Sequence, residues 1–254
     1  MSSKKNTEVQ KVMVLTTQRS GSNLLGTLLK SHPQVMYYGE VMKDKPKDST
    51  FHFNYHFVRR TRILNKLLWK LGFKRAVVNI YWKYIDSLVG PTGKIVVVKP
   101  MVNQLKKYPE LQHLPKNILI IRLVRENLLQ KYISSVLAWK TKQWVQREDE
   151  DKSTTKIAID CSKLINELHE LKQANEFVET FSPESKSIRI TYDQLVNSKD
   201  ETLKSVLQFL NIDNHLDLST SLRKQNANTL QDIVLNYEEV VGRLTGTEYE
   251  KMIY

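Results

Sequence analysis

The sequence predicts an α/β protein with three layers, in which a central parallel sheet is flanked by helices on both faces. Two continuous runs of β-branched or aliphatic residues, 95–98 and 118–121, are typical of strands that are covered on both faces. Amphipathic segments separate such runs, and strands that alternate with helices favour a parallel sheet with right-handed crossovers. The chain has 254 residues without a shift in composition, which fits one large unit. We therefore expect a disordered N-terminus over 1–10 and a single domain over 11–254.

Apolar periodicity predicts where the strands and helices lie along the chain. Strands are expected at 11–17, 35–38, 95–98, 118–121 and 187–191. Helices are expected at 22–30, 127–140, 157–181 and 192–210, and as two basic amphipathic helices within 58–84. Pro33 follows the end of the first helix, and Gly72 divides the segment 58–84. The charged stretch 146–156 has no periodicity and is expected to be a loop, and 222–254 is expected to hold loop and short helix.

Composition excludes several classes of protein. The single cysteine, Cys161, can form neither a disulfide within the chain nor a Cys-rich zinc site. No apolar run approaches the ~18 residues of a membrane span, and the polar start is unlike a signal peptide. We therefore expect a cytoplasmic protein.

Positive charge is concentrated in one part of the chain. The whole protein has 39 Lys or Arg against 27 Asp or Glu, a formal charge of +12, and residues 41–100 hold 13 of these bases against three acids. Such a charge attracts nucleic acid, an anionic membrane surface or a phosphorylated small molecule, whereas the alternative is a solvated basic face. The stretch 59–75 is a candidate for peripheral membrane contact.

The segment between the first predicted strand and the first helix is the clearest candidate for a ligand site. It reads Gln18-Arg19-Ser20-Gly21-Ser22-Asn23. At such a turn the backbone N–H groups and the positive end of the helix dipole favour an anion. Gly21 lets the backbone approach an anion closely, Arg19 adds a planar guanidinium, and Ser20, Ser22 and Asn23 add side-chain donors. The alternative is an ordinary strand–turn–helix connection with Ser20 or Ser22 as the helix cap.

A nucleotide triphosphatase needs further residues at this turn. Its loop ends in Gly-Lys-[Ser/Thr], which places a lysine on the phosphates and a hydroxyl on Mg²⁺, and this chain has no such sequence at the helix start. The strands predicted at 95–98 and 118–121 run into Lys99 and Arg122 and not into a metal-binding Asp. The loop therefore favours an anion that arrives without magnesium.

The order of several motifs resembles a known family. Gln18–Leu25, then His32-Pro33, then Gly39-Glu40 are similar to the start of sulfotransferases, which use 3′-phosphoadenosine 5′-phosphosulfate (PAPS). The similarity runs from residue 11 to 252, with Thr191–Leu195 among the later matches, and leaves 43–90 and 141–160 without a recognisable pattern. The resemblance implies a P-loop-NTPase-like sulfotransferase fold, PAPS as co-substrate, 3′-phosphoadenosine 5′-phosphate (PAP) as product, and no metal.

The resemblance also implies roles for the residues that bind the donor. Gln18 to Asn23 would cradle the 5′-phosphosulfate, with Arg19 on the bridging and leaving oxygens and Ser20 to Asn23 on the 5′-phosphate. Arg125 and Ser134 would bind the 3′-phosphate. Their separation is nine residues, whereas many members of the family have eight, so either Arg125 lies one place further back or Ser134 is not the partner. Lys224, in the closing segment, is expected to reach a phosphate.

Glu40 is the candidate base for the acceptor proton. It follows the second predicted strand, and the carboxyl ends of parallel strands meet at one edge of the sheet, where ligands bind. The resemblance to the glycan-directed and bacterial branches of the family implies a Glu base here, while the alternative is an ion pair of Glu40 with Lys43 or Arg19. Lys99, at the end of the third strand, is a further candidate catalytic residue.

Another branch of the family uses a histidine base, and this chain offers four candidates: His32, His52, His56 and His113. His32 lies in a Ser-His-Pro turn and is read as structural. His52 and His56 belong to an aromatic stretch that is expected to line the acceptor site or to pack in the core.

The leading hypothesis is a PAPS-dependent sulfotransferase that modifies a hydroxyl or amine of a sugar, a lipid headgroup or a small secondary metabolite, without a nucleic-acid partner. A basic protein that binds nucleic acid or a membrane surface is the first alternative, and it predicts steep salt dependence and no need for Glu40. A P-loop-like nucleotide kinase is the second.

Overall fold

The structure is a computed structural model, and it describes residues 9–43, 55–61, 63–87, 94–144, 155–212, 218 and 229–253. Five strands form one sheet: β1 (Gln10–Thr16), β2 (Val35–Gly39), β3 (Ile95–Val98), β4 (Leu119–Val124) and β5 (Ser187–Thr191). Their order is β2-β3-β1-β4-β5 and every pairing is parallel. The predicted parallel sheet is therefore confirmed, with β1 at its centre.

Helices cover both faces of this sheet. In chain order they are α1 (Ser22–Lys30), α2 (Tyr55–Thr61), α3 (Ile63–Lys70), α4 (Lys74–Ser87), α5 (Val102–Lys107), α6 (Leu128–Thr141), α7 (Leu164–Thr180), α8 (Tyr192–Asn197), α9 (Lys199–Phe209), α10 (Leu230–Ile233) and α11 (Tyr237–Leu244). Short 3₁₀ turns lie at Pro109–Gln112 and Glu250–Met252.

Successive residues of β1 pack on opposite faces of the sheet, because side chains alternate along a strand. Met13 and Leu15 join a core made with α2, α4 and α7. Val12 and Val14 join a second core made with α1, α8 and α9. A third cluster packs α6 and α7 against α10, α11 and the C-terminal turn. The predicted three-layer arrangement is confirmed.

Two of the predicted helical segments are wrong in detail. The helix expected at 157–181 begins at Leu164, because the amide of Ile157 donates to the carbonyl of Ile233 at 2.9 Å. The side chain of Asp160 then accepts from the amide of Ser162 at 3.1 Å, a local turn that competes with helix. The segment 58–84 lies in three helices and not in two, although the break at Gly72, where φ is +84°, is confirmed.

Arg122 does not follow the fourth strand, as the sequence suggested, but lies inside β4. It is 5% exposed, and its guanidinium donates to the carbonyls of Val178 at 2.5 Å and Phe181 at 2.7 Å. It thereby satisfies carbonyl groups at the C-terminal end of α7, which have no partners within their own helix. Arg122 is therefore a structural residue, and the strand exit moves to Arg125.

Some of the predicted features lie outside the described residues, namely residues 1–8 of the expected disordered N-terminus, His52, residues 146–154 of the predicted loop and Lys224. Among the residues that are described, no helix combines the length and the apolar character needed to cross a membrane.

Candidate active site

The carboxyl ends of all five strands contribute a side chain to one edge of the sheet. Arg19 follows β1, Glu40 follows β2, Lys99 follows β3, Arg125 follows β4 and Tyr192 follows β5. Open parallel sheets bind their ligands at this edge. The strand order brings together residues that are far apart in the chain, so the edge is the candidate active site.

The loop between β1 and α1 has the form of an anion cradle. Arg19 and Gly21 both have positive φ angles, 61° and 84°, and Gly21 is the N-cap of α1 without any side-chain hydrogen bond to the first turn. The buried hydroxyl of Ser20 pairs instead with Thr17 Oγ1 at 2.9 Å. The ordinary capped connection, with Ser20 or Ser22 as the cap, is therefore not what forms. The uncapped helix start leaves backbone amides for an anion.

Gly21 is held against Tyr192. A Cβ atom added at Gly21 would lie 2.7 Å from Cδ2 of the Tyr192 ring, and its φ of +84° disfavours any other residue. The expected result of Gly21→Ala is a free energy of unfolding lower by about 1–3 kcal/mol and an affinity for PAP at least about tenfold weaker, measured by urea unfolding and calorimetry.

Gly242 supplies the matched control. It lies exposed inside α11, and nothing stands within 4 Å of a Cβ added there. Gly242→Ala is expected to leave PAP affinity unchanged. Equal PAP affinity in the wild-type and Gly21→Ala proteins would contradict the assignment of this loop to the ligand.

Lys99 joins Glu40 to the loop. The lysine is 3% exposed, and its Nζ donates to Asn23 Oδ1 at 2.8 Å and to Ser22 Oγ at 3.4 Å. The same Nζ lies 3.3 Å from Glu40 Oε1, so Glu40 pairs with Lys99. Burial lowers the pKa of Lys99, and the charge of Glu40 opposes that shift. Glu40 itself stays about one-third exposed, which leaves it accessible to an acceptor.

Arg19 is fixed by contacts with α6 and the residues that follow it. Its Nε donates to Ser134 Oγ at 3.0 Å, and its Nη1 donates to the carbonyl of Trp144 at 2.6 Å. Arg125 Nη1 in turn donates to the carbonyl of Arg19 at 3.4 Å. Ser134 and Arg125, nine residues apart in the sequence, thus both reach the loop through Arg19. Gln18, the first residue of the motif, is exposed at the top of the loop.

The guanidinium of Arg125 is placed to receive an anion. It stacks over the Tyr192 ring at 4.3 Å, and its Nη2 donates to Gln130 Oε1 at 3.1 Å. Its Nε is buried and has no hydrogen-bond partner among the described residues. Burial lowers the pKa of Arg19 and of Arg125, and the charge of Arg125 lowers that of Arg19 further. A bound anion would satisfy the Nε and offset the repulsion between the two cations.

Lys131 is linked to the backbone of Arg125 through the side chain of Asn175. It is 1% exposed, and its Nζ donates to Asn175 Oδ1 at 2.8 Å. Asn175 Nδ2 donates to the carbonyl of Arg125 at 2.9 Å. The pKa of Lys131 is lowered to about 7, mainly by burial and further by the charge of Arg125.

The low pKa of Lys131 makes stability depend on pH. In the unfolded chain a lysine has a pKa of about 10.4, so between pH ~7 and pH ~10 the unfolded state binds one more proton and stability rises with pH. The expected slope reaches about 1.4 kcal/mol per pH unit. Lys131→Met should remove this rise in urea unfolding at a series of pH values, whereas Lys140→Met, at an exposed site on the same helix, should keep it. Parallel pH profiles for wild type and Lys131→Met would refute the buried titration.

The three candidate histidines that the structure describes have their contacts outside the candidate active site. His32 is 1% exposed, and its Nδ1 accepts from the amide of Gln34 at 3.1 Å, which agrees with a structural reading. His56 is buried, with its ring centroid 4.7 Å from that of Tyr108, so it packs in the core. His113 accepts from Arg75 Nε at 2.7 Å. In the part of the chain that is described, no three His, Cys, Asp or Glu residues are grouped to hold a metal.

Sequence reasoning missed four residues of the site: Tyr192, Trp144, Lys131 and Asn175. Tyr192 carries a signal that could have found it, because it follows a predicted strand just as Arg19 and Arg125 do. Trp144 contributes only its carbonyl, and Asn175 comes from the middle of α7. Nothing local in the sequence marks these two positions.

Comparison with known proteins identifies the family of this chain. The sequence model described as the sulfotransferase family matches residues 11–216. Nodulation protein H of Rhizobium meliloti (strain 1021) is 25% identical over 236 residues, which are 91% of this chain and 90% of that protein.

Two solved structures were also matched. A sulfotransferase domain from the curacin biosynthetic pathway is 14% identical, with a TM-score of 0.44 over 89% of this chain and 82% of its own. A sulfotransferase from Alicyclobacillus acidocaldarius is 12% identical, with a TM-score of 0.41 over 96% of this chain and 95% of its own. The family match covers most of the chain, and the chain therefore belongs to the sulfotransferase family, enzymes that transfer a sulfuryl group from PAPS to an acceptor.

Proposed function

We propose that the edge formed by Arg19, Glu40, Lys99 and Arg125 binds PAPS and transfers its sulfuryl group to a hydroxyl or amine. The observation that carries this proposal is the pair of guanidiniums at the uncapped start of α1, the half-buried Arg19 and the buried Arg125, whose Nε is buried without a partner among the described residues. Such an arrangement suits a ligand with two separate anionic groups.

The donor's two phosphates are assigned to two parts of this edge. The backbone of Gln18 to Asn23 holds the 5′-phosphosulfate, with the amides at the start of α1 as donors. Arg125 and Ser134 hold the 3′-phosphate, and the shared contact with Arg19 supports their pairing despite the nine-residue separation. Lys224 is proposed, from the family resemblance alone, to reach a phosphate as well.

Transfer needs one bond to form and one to break. The acceptor oxygen or nitrogen attacks sulfur in line with the departing phosphate oxygen, and the acceptor's proton passes to Glu40. The bond between sulfur and the 5′-phosphate oxygen breaks, and PAP leaves with the electron pair. Arg19 and Lys99 stabilise the negative charge that develops on the leaving oxygen and on the sulfuryl oxygens. Lys99 is suited to this because its Nζ lies between Glu40 and the loop.

The acceptor is proposed to be a sugar, a lipid headgroup or a small secondary metabolite. We further propose that the enzyme acts in the cytoplasm and that 11–254 form one domain. Incubation of a metabolite extract with enzyme and PAPS, followed by mass spectrometry for products heavier by one sulfuryl group, would identify the acceptor.

A thermal-shift experiment tests the donor assignment against the alternatives. A ligand that binds the native state raises the melting temperature by mass action. PAP without metal should raise it, and ATP with Mg²⁺ or duplex DNA should not. Stabilisation by ATP with Mg²⁺ but not by PAP would favour a nucleotide kinase. A response to DNA alone, lost on addition of salt, would favour a nucleic-acid-binding protein.

A further inference from the structure

One helix of the structure presents an apolar surface away from the core. Eight large apolar side chains are strongly exposed in the described part of the chain, and five of them lie between residues 63 and 73. These five, here called the α3 surface, are Ile63 (88% exposed), Leu64 (61%), Leu67 (52%), Leu71 (62%) and Phe73 (58%). Contiguous exposed apolar residues of this kind mark an interaction site.

The helix α3 is packed against the rest of the protein on its other side. The exposure of the five apolar side chains is therefore not due to a lack of tertiary contacts. The opposite side of α3 is seated on the protein, since Asn65 is buried and its Nδ2 donates to the carbonyl of Val58 at 3.0 Å. Leu68 and Trp69 pack against the core, and the Trp69 ring lies 6.4 Å from that of Tyr55. Leu64, Leu67 and Leu71 recur at the spacing of a second helix face. The helix therefore has one apolar side for the core and another for a partner.

Positive charge surrounds the α3 surface. Residues 59–75 hold seven Lys or Arg and no Asp or Glu. Lys66 and Lys70 lie one helical turn apart on α3, beside the exposed leucines, and Lys74 is the first residue of α4. Two of the bases are held in place by Trp69, with the Arg59 guanidinium 4.3 Å and Lys74 Nζ 4.9 Å from its ring centroid.

The exposed apolar side chains and the positive charge around them together indicate which kind of partner binds the α3 surface. Two copies of the chain meeting through this surface would bring fourteen positive charges together without a single acid from the same stretch, and like charges across an interface are strongly unfavourable. A bilayer with anionic lipids can bind both the exposed apolar side chains and the positive charges of the α3 surface. Apolar side chains enter the boundary between headgroups and acyl chains, and lysines contact the headgroups.

We propose that the α3 surface docks the protein peripherally on an anionic lipid bilayer, with Leu64, Leu67 and Leu71 inserted and Lys66, Lys70 and Lys74 on the headgroups. The α3 surface lies in the part of the chain that follows Glu40. The start of this part is held beside Glu40, because the amide of Tyr55, at the start of α2, donates to the carbonyl of Val41 at 2.8 Å. The proposal does not depend on sulfuryl transfer.

Vesicle flotation tests the docking. The full-length protein is mixed with vesicles of phosphatidylcholine, with or without phosphatidylglycerol, at several salt concentrations. Wild type should float with the anionic vesicles, stay unbound with phosphatidylcholine alone, and dissociate as salt screens the charges. Removal of three lysines by Lys66→Gln, Lys70→Gln and Lys74→Gln should weaken binding about a hundredfold. Leu64→Asn, Leu67→Asn and Leu71→Asn should weaken it at every salt concentration.

Matched control variants test whether lipid binding depends on the α3 surface in particular. Lys186→Gln, Lys199→Gln and Lys204→Gln remove the same charge from exposed positions near β5 and α9, and Leu235→Asn changes an exposed leucine elsewhere. Both controls should bind anionic vesicles as wild type does, and cooperative melting without nucleotide checks that every variant is folded.

Two outcomes would overturn the proposal. In one, the two lysine triples weaken binding equally, which would mean that overall charge and not this surface binds lipid. In the other, sedimentation shows a dimer that the leucine variant converts to a monomer, which would make the surface an interface between copies of the chain. Either outcome is independent of whether PAP stabilises the protein.

Discussion

Glu40→Gln is expected to reduce the rate of sulfuryl transfer by about 10²–10⁴-fold, the contribution typical of a general base. The amide cannot accept the acceptor's proton, although it keeps the shape of the side chain. PAP binding should persist, because the Glu40 side chain contacts Lys99 and not the backbone amides of the loop. Turnover with PAPS and calorimetric PAP affinity, measured on the same preparations, separate the two effects.

Glu248→Gln is the matched control for Glu40→Gln. Glu248 is also a carboxylate paired with a lysine, Lys172, but the pair is exposed near the C-terminus. This variant should keep full turnover. If Glu40→Gln instead lost PAP binding together with turnover, the carboxylate would serve to hold Lys99 in place, and the base would have to be sought elsewhere.

Arg125→Ala is expected to weaken PAP binding about ten- to hundredfold, the range for loss of hydrogen bonds to a charged group. The reason is that its guanidinium, with a buried Nε that lacks a partner among the described residues, is the proposed contact of the 3′-phosphate. Adenosine 5′-phosphosulfate has no 3′-phosphate, so its affinity should fall much less. Calorimetric titration of wild type and variant with both nucleotides measures the ratio.

Arg189→Ala provides the comparison for Arg125→Ala. Arg189 lies on β5 and forms exposed ion pairs with Glu126 and Glu179 at 2.7 Å, and its loss should leave both nucleotide affinities unchanged. Equal weakening of PAP and of adenosine 5′-phosphosulfate in Arg125→Ala would contradict the 3′-phosphate assignment. It would show that Arg125 acts by bracing the carbonyl of Arg19 in the loop.

The strands were the most predictable part of the fold. Ile95–Val98 and Ser187–Thr191 have the predicted bounds, β2 ends one residue later than predicted, and β1 begins and ends one residue earlier. β4 begins one residue later than predicted and ends three residues later. Continuous apolar runs determine such strands, since both faces of the sheet are covered. The helix expected from 157 was wrong over its first seven residues because Ile157 and Ile159 bury their side chains without a helical hydrogen-bond pattern. Backbone bonds of residues 157–163 go to Ile233 and to a local turn, which periodicity does not reveal.

The candidate site was predictable where a residue lies at most three positions after the end of a strand. Arg19, Glu40, Lys99 and Arg125 all meet at the expected edge. The partner of Glu40 was not predictable: the sequence pointed to Lys43 or Arg19, and the structure pairs it with Lys99. The two residues are 59 positions apart, and they meet because β2 and β3 are neighbours in the sheet.

The sequence by itself determined the parallel sheet and the family, and it marked the loop between β1 and α1 as the candidate ligand site, because apolar runs and turn residues act over a few neighbouring positions. The tertiary structure alone decided which charges neutralise one another and which stay available for a ligand. Arg19 meets Ser134 across 115 residues and Lys99 meets Asn23 across 76, contacts that the strand order β2-β3-β1-β4-β5 creates. Burial at that edge then sets the pKa shifts of Arg19, Lys99 and Arg125, since desolvation depends on atoms supplied by several elements at once.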